Sequence, residues 1–468
     1  MKRRSFIGSS AFAALAASLP LEGRPQKIFL RKEIAQFSTD AALVKAFRDG
    51  VRAMRNNADA KDVTSWEYWH NSHKMTSGTA PPDMTAVWNK CKHHELYFFQ
   101  WHRGFLYYFE QMVRQLSKNA DFALPYWDYY LNPEIPEIFA DETLSDKTSN
   151  PLYWENRANN EVYGLTYSAF SNAITQFPFS DSLSRYENSC QYNPHDIVHG
   201  AIGGSMGSFG TSALDPVFWV HHCNIDRLWA AWITARNGRK MPPADDKTYW
   251  SASWIWNTAG TWNKTALTLD NTVALGYTYD DLSLPEAPPD LMLPARSPST
   301  LRADRMEHGL VFGAENLSLL VPIAPALQPT LRAFTTSPLA QRNEAYVVAL
   351  DGVNLTAAGR RGGYVFNVYM NLPTVPTPES ADTDAAYYLG PIDSFTISVA
   401  QMMQPGPATL TFPASLALQL QARRGPLNLE HVALTFVRAP AEAAPVASAV
   451  VTIDAIRFER VEGSAHGM

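Results

Sequence analysis

Apolar positions along the chain change their period once, near residue 300. From about Ile34 to Trp232 they recur at helical spacing, in runs such as "AALVKAFRDGVRAM" and "FLYYFEQMVRQLSK" that predict amphipathic helices. From roughly residue 306 to 462 they alternate instead. There "EAYVVALDGVNL", "GGYVFNVYMNL", "DSFTISVA", "ATLTFPA", "LALQLQA", "HVALTFVRA" and "AVVTIDAIRFERV" read as seven short strands between Gly, Pro and Asn turns. Such a set predicts an all-β sandwich or barrel. Between the two patterns lies "DLSLPEAPPDLMLPARSPS", Pro-rich and without periodicity, which reads as a linker. The expected organisation is a mainly helical unit over 23–285, a linker over 286–305 and an all-β unit over 306–468.

The first residues, "MKRRSFIGSSAFAALAASLPLEG", add a different kind of segment. A twin arginine, Arg3 and Arg4, precedes a modest apolar stretch and small residues around Ala16 to Ser18, the layout of a twin-arginine export signal over 1–22. No later run reaches the roughly 18 apolar residues a membrane span needs. The mature chain is therefore expected to be soluble, without a membrane partner, and periplasmic or secreted.

Composition narrows the function. A length of 468 residues allows two or three domains, and a formal charge of −6 with scattered Lys and Arg leaves no basic stripe for nucleic acid. The 3 cysteines, Cys91, Cys190 and Cys223, are too few for a disulfide framework. Histidine is the informative residue. Of the 12, nine lie between residues 70 and 222, as His70, His73, His93, His94 and His102, then His195, His199, His221 and His222.

Helical geometry makes the second group a metal half-site. His195 and His199 are four residues apart, so at about 100° per residue they share one helix face and can reach one ion. His221 and His222 are about 100° apart, which predicts one ligand and one neighbour. Asp226, one turn beyond His222, is placed to hydrogen-bond an imidazole and fix its tautomer. The first group offers a second such site from one of His70 or His73, one of His93 or His94, and His102. In one unbroken helix His94 and His102 would be the natural pair; His93 can join His102 only if the helix begins after it. All-nitrogen donors on facing helices describe a dinuclear centre in a four-helix bundle. Zinc pairs used in hydrolysis usually share a bridging carboxylate, none is obvious here, and Asp196 stands where an HExxH zinc hydrolase has Glu, so two copper ions acting on dioxygen fit better.

The stretches "CKHHELYFFQWHRGFLYYFE" and "NPHDIVHG…GSFGTSALDPVFWVHHCNIDRLW" resemble those of the type-3 copper proteins: tyrosinases, catechol and polyphenol oxidases, and haemocyanins. "GYTYDD" resembles the family's Tyr-x-Tyr signature, and "GGYVFNVYMNL" the β domain that shields the copper site in plant-type polyphenol oxidases. The resemblance implies two coppers, one on His73, His93 and His102 and the other on His195, His199 and His222. His73 is preferred to His70 because it follows Trp66 by the family's seven residues. It also implies His221 in the substrate pocket, Phe209 as an aromatic gate, a Cys91–His93 thioether, and Glu187 and Asp196 as candidates for holding a water that deprotonates phenols. Asp196 stands where Asn is common, and Gln191 lies nearer than Glu187. The implied activity is oxidation of o-diphenols to o-quinones by dioxygen, with ortho-hydroxylation of monophenols, kept latent by the C-terminal domain. A haemocyanin-like oxygen carrier is the main alternative and a dizinc hydrolase a weaker one.

Overall fold

The computed structural model describes residues 27–165, 186–235, 241–285, 300–302, 309–336, 344–372, 386–403, 406–439 and 448–462. The twin-arginine stretch, and all of the expected linker except 300–302, lie outside the described residues.

Five helices position the histidines: α1 (Ala41–Asn56), α2 (Trp66–His73), α3 (Phe98–Ser117), α4 (Ile197–Ile202) and α5 (Val217–Thr234). The Asp40 carboxylate starts α1 by accepting the backbone N–H groups of Ala42 and Leu43 at 3.1 and 3.2 Å. Val44, Phe47, Val51 and Met54 then form its buried stripe, and Gly50 lets it close onto Val113 of α3. At the head of α3, His94 and Tyr97 have φ values of 52° and 76°, left-handed backbone that no α-helix contains. Hence the helix begins at Phe98, and His93 stands on the incoming segment. Only α1, α3 and α5 are long; α2 and α4 have 8 and 6 residues, so the core is helical with two short ligand-bearing segments.

One buried carboxylate ties this core together. Asp226 on α5 accepts from Arg103 of α3 at 2.5 Å, from Arg31 at 3.4 Å, and from the hydroxyls of Tyr277 and Tyr279. Arg31 ends the strand Phe29–Arg31, which pairs in parallel with Tyr277–Tyr279. The first and last parts of the helical unit thus meet at Asp226. Burial opposes its ionisation, but the two guanidiniums and two hydroxyls hold its carboxyl below the usual range. The expected contact with an imidazole is therefore not made. A buried carboxylate takes the strongest donors in reach, and here those are guanidiniums.

The C-terminal unit holds two five-stranded sheets. One runs in the order Tyr388–Asp393, Val365–Met370, His431–Ala439, Leu317–Pro322 and Thr300–Arg302, the last pairing being parallel. In the other, Glu344–Leu355 pairs with Ala408–Pro413, Ala455–Glu462 and Val451–Ile453, and Leu310–Phe312 forms the edge. The sheets share one core, in which Phe312 lies 5.3 Å from Phe366 and 4.9 Å from Phe436 between ring centroids.

This unit is not purely β, however. It also carries α6 (Gln328–Thr336), α7 (Ser394–Met403) and α8 (Ser415–Ala422). Two expected strands, "DSFTISVA" and "LALQLQA", are therefore helices. Asp393 starts α7 by accepting the backbone N–H groups of Phe395 and Thr396 at 2.8 and 2.9 Å. Its alternating apolar residues arise because both faces are covered: Ile397 packs into the β core, whereas Phe395 and Val399 pack with Phe209. In α8 the Leu, Ala and Gln residues favour helix, and Ala417, Leu418 and Gln421 bury one side. Among the described residues no helix is long and apolar enough to cross a membrane.

Candidate metal centre

The first histidine cluster is assembled from three separate pieces. His73 is the last residue of α2, His93 lies on the segment before α3, and His102 is one turn inside α3. Their ring centroids are 5.3 Å (His73–His93), 5.1 Å (His93–His102) and 6.0 Å (His73–His102) apart. His70 turns away, with Nε2 3.2 Å from the Thr76 hydroxyl. The left-handed backbone at His94 sends that ring outward too, and its Nε2 lies 2.8 Å from Asp196 Oδ2. Cys91 completes the group: its Sγ is 3.1 Å from His93 Nδ1 and 3.2 Å from His102 Nε2.

The second cluster comes from two helices. His195 sits just before α4 and His199 within it; His221 and His222 project from α5. Helical angles predicted that only one of the last two would face the group. The structure brings both in, with one nitrogen from each of the four rings within 4.8 Å of the others. His195 and His199 lie over the seam between the pair. His195 is 5.3 Å from His221 and 4.9 Å from His222, and His199 is 4.8 and 5.6 Å from them. What separates the two is the other cluster, since His222 stacks on His102 at 4.3 Å.

These rings suit a soft or borderline cation. Burial drives the imidazolium form out, lowering His102 and His199 to about 3 and holding His73, His93, His195, His221 and His222 well below the ordinary imidazole value, so each ring keeps a free lone pair. Three rings are pinned through Nδ1: His102 by Phe98 O at 2.8 Å, His199 by Met206 O at 2.9 Å and His195 by Asp196 Oδ1 at 2.8 Å. That pattern aims Nε2 at the centre, as outer hydrogen bonds do around metals. Several inner nitrogens, including His73 Nε2, His93 Nε2 and His195 Nε2, are buried with no partner among the described residues. Such orphans cost about 1–3 kcal/mol each unless something satisfies them. Two histidine groups without a carboxylate donor fit a dicopper site.

Comparison with known proteins agrees. The family model for the common central domain of tyrosinase matches residues 63–175 and 139–235, the stretch that holds both clusters. That region is a central domain of the type-3 copper family of tyrosinases and polyphenol oxidases. A tyrosinase of Hahella sp. is 32% identical over 234 residues, 39% of this chain and 49% of that protein, so the match spans about half of that relative's length. Aureusidin synthase of Antirrhinum majus is 25% identical over 429 residues, covering 78% of this chain and 72% of its own. The structure of latent apple tyrosinase superimposes with a TM-score of 0.58 at 19% identity, over 94% of this chain and 98% of that one, and so shares its fold.

Within this type-3 copper core the remaining predicted residues have defined places. Phe209 stands edge-on to the first cluster, 4.6 Å from His93 and 5.2 Å from His73. Asp196 is fully buried between His195, His94 and the Thr396 hydroxyl, the last at 3.3 Å. It orients a histidine and does not cap a turn. Gln191 uses its side-chain oxygen on the backbone N–H of His94. Glu187 lies against the head of α3, accepting the backbone N–H groups of Tyr97, Phe98 and Phe99; burial pushes it up to about 8. One of its oxygens, Oε1, is buried with no partner among the described residues. Cys190 and Cys223 are packed thiols, the latter pushed up to about 12 by burial.

The residue that sequence reasoning missed is Phe395. It comes from α7 of the C-terminal unit, is fully buried, and stacks on His199 at 4.0 Å with the planes 10° apart. It also lies 5.5 Å from His195 and 5.7 Å from His93, touching both clusters. Around it the unit is fastened to the core by Phe209 N–H to Ser398 Oγ at 3.2 Å and Thr396 to Asp196. Main-chain bonds run from Gly363 N to Gly200 O at 2.9 Å and from Gly204 N to Arg361 O at 2.6 Å. The period-two spacing of Phe395, Ile397 and Val399 concealed the helix; the Asp393 cap two residues earlier was the available signal.

Proposed function

We propose that the chain is a dicopper oxidoreductase that oxidises o-diphenols to o-quinones with dioxygen, held latent by its C-terminal unit. The observation that carries the reading is the convergence of two groups of neutral, buried imidazoles with orphan inner nitrogens and no carboxylate donor. His73, His93 and His102 hold one copper. His195, His199 and His222 hold the other, His222 being chosen over His221 by its stack on His102. His221 then forms part of the wall behind the site. A copper pair supplies the redox chemistry: one dioxygen, reduced to water, takes four electrons from two diphenols.

The protein side of the reaction is orientation and exclusion. Asp196 fixes the His195 tautomer, and a Cys91–His93 thioether would hold His93, whose loop gives it less support than a helix. Phe209 offers an aromatic edge to a phenol ring. Phe395 occupies the face of His199 that a substrate ring needs, so the closed chain is latent. Ortho-hydroxylation of monophenols asks in addition for a base near the phenol. Departure of α7 removes the Thr396 bond from Asp196 Oδ2 and leaves that oxygen with His94 alone, and Glu187 Oε1 has no partner among the described residues. The substrates are small phenols, met by an exported, membrane-free chain.

The test is metal analysis with an absorption spectrum under oxygen, followed by 4-methylcatechol and tyramine oxidation by the full chain and by Phe395→Ala. Two coppers per chain, with catechol turnover about tenfold higher or more in Phe395→Ala, is the expected result. Zinc in place of copper would sink the reading in favour of a hydrolase. Reversible oxygen binding without catechol turnover in either protein would make it a carrier. Failure on tyramine alone removes only the hydroxylation step. Cutting the chain between Pro285 and Pro298 should activate it as the substitution does.

A further inference from the structure

Beside Phe395 a cavity of about 410 Å³ reaches the first cluster from solvent. Its floor is His73, His93, Cys91 and Phe209, and Trp254 forms part of the wall. Its rim carries Lys74, Lys90, Lys92 and a single carboxylate, Glu95. Glu95 is already committed, 3.1 Å from the Lys92 ammonium in an i,i+3 pair. Lys74 and Lys90 have no carboxylate within ion-pair distance among the described residues. Lys74 does not trail into solvent either: its ammonium sits 5.7 Å from the centre of the Phe209 ring. The opening is therefore lined inside by aromatic and imidazole rings, with two uncompensated cations at its edge, in a chain whose overall charge is −6. A local positive rim on a negative protein attracts anions, and low-dielectric walls strengthen that field.

We propose that this cavity is a recognition site for aromatic acids, which receives the ring against Phe209 and His93 and the carboxylate at Lys74 and Lys90. The substrate class that follows, given the oxidase reading on which this part rests, is o-diphenols bearing a carboxylate on a short side chain. Neutral catechols fit the same floor without the second contact. Amines such as dopamine meet like charge at the rim.

A binding measurement tests the site without relying on turnover. Calorimetric titration of the copper-loaded full chain with benzoate and with benzyl alcohol should show benzoate binding about tenfold more tightly, the value of one or two charge-assisted contacts. Lys74→Met/Lys90→Met should abolish that preference and Lys74→Arg/Lys90→Arg should keep it. Equal affinities in the unaltered chain, or a benzoate preference that survives the double Met substitution, overturn the proposal. Turnover then tests the substrate class in Phe395→Ala, by kcat/KM for 3,4-dihydroxyphenylpropionate relative to 4-methylcatechol. That ratio should fall about tenfold with the Met pair and fall with added salt. A ratio indifferent to both overturns the substrate class while leaving the oxidase reading intact. If neither catechol is oxidised but benzoate keeps its lysine-dependent preference, the oxidase reading fails and the aromatic-acid site stands.

Discussion

The two histidine clusters are built in opposite ways. The second draws its rings from a short helix and the residues just before it and from the second turn of a long one, and two of those rings are pinned from behind, His195 by Asp196 and His199 by the Met206 carbonyl. The first spans α2, a loop and α3, and of its rings only His102 has such a carbonyl; His73 has no hydrogen bond at either nitrogen among the described residues. His73 is held instead by ring contacts, with Phe218 at 4.9 Å and Phe209 at 5.2 Å. The second half-site thus leans more on directional bonds and the first more on packing. Directional bonds set a ring angle sharply, whereas packing tolerates small rotations. The first cluster is the one expected to adapt when a ligand enters, and the aromatic cavity opens on that side.

Four experiments press on this contrast. The largest effect belongs to the ligands: His199→Ala and His102→Ala should each abolish catechol turnover and lower copper content by about one ion per chain, measured by metal analysis. Retention of both ions in either variant would falsify the pairing of clusters with ions. Next comes the carboxylate that joins the halves, because Asp226 on α5 grips Arg103, the neighbour of His102. Asp226→Asn leaves buried guanidiniums uncompensated and should lower stability by about 3–5 kcal/mol in urea unfolding at neutral pH. The depressed folded value of Asp226 means that its contribution is present above the unfolded pKa, about 3.9, and is lost as pH falls through the folded value. The gap between variant and parent should therefore close in acid, and a gap that widened there would contradict the ion-pair account.

Smaller effects distinguish the clusters from each other. Asp196→Ala should weaken copper at the second cluster about 10–100-fold, seen by competition with a chelator, because the tautomer of His195 is no longer enforced. Cys91→Ala should cost the first cluster less than about tenfold in the same assay, since a packed ring loses little direction with one neighbour. Equal losses would erase the distinction between bonded and packed halves. Peptide mass across Cys91 to His93 reports the thioether independently, as a deficit of two hydrogens.

Much of the centre was legible because metal sites need several residues of one type at restricted spacings. His195 and His199 could be paired from helical geometry alone, and the choice of His93 over His94 reduced to where one helix starts. The left-handed backbone at His94 and Tyr97 answers that question, and no periodicity could have announced it. Asp226 was misjudged for a related reason: its position one turn past His222 was visible, but Arg31 and Arg103 come from distant parts of the chain. The C-terminal helices were misread because burial on two faces imitates a pleat. Phe395 was hidden for the same reason, and contacts between distant segments leave no local pattern at all.

The seam beside Phe395 consists largely of missing side chains. A methyl group on Gly200 would strike Asp393, one on Gly203 the backbone of Gly363, one on Gly207 the Ser394 hydroxyl at 2.6 Å, and one on Gly362 the backbone of Gly203 at 2.7 Å. Main chain lies on main chain at Gly203 and Gly362, and at Gly200 and Gly207 only one short side chain lies between. Such a joint responds to volume. It gives a protein engineer a mechanical adjustment, one methyl at a time, for how closely the C-terminal unit seats on the helical core.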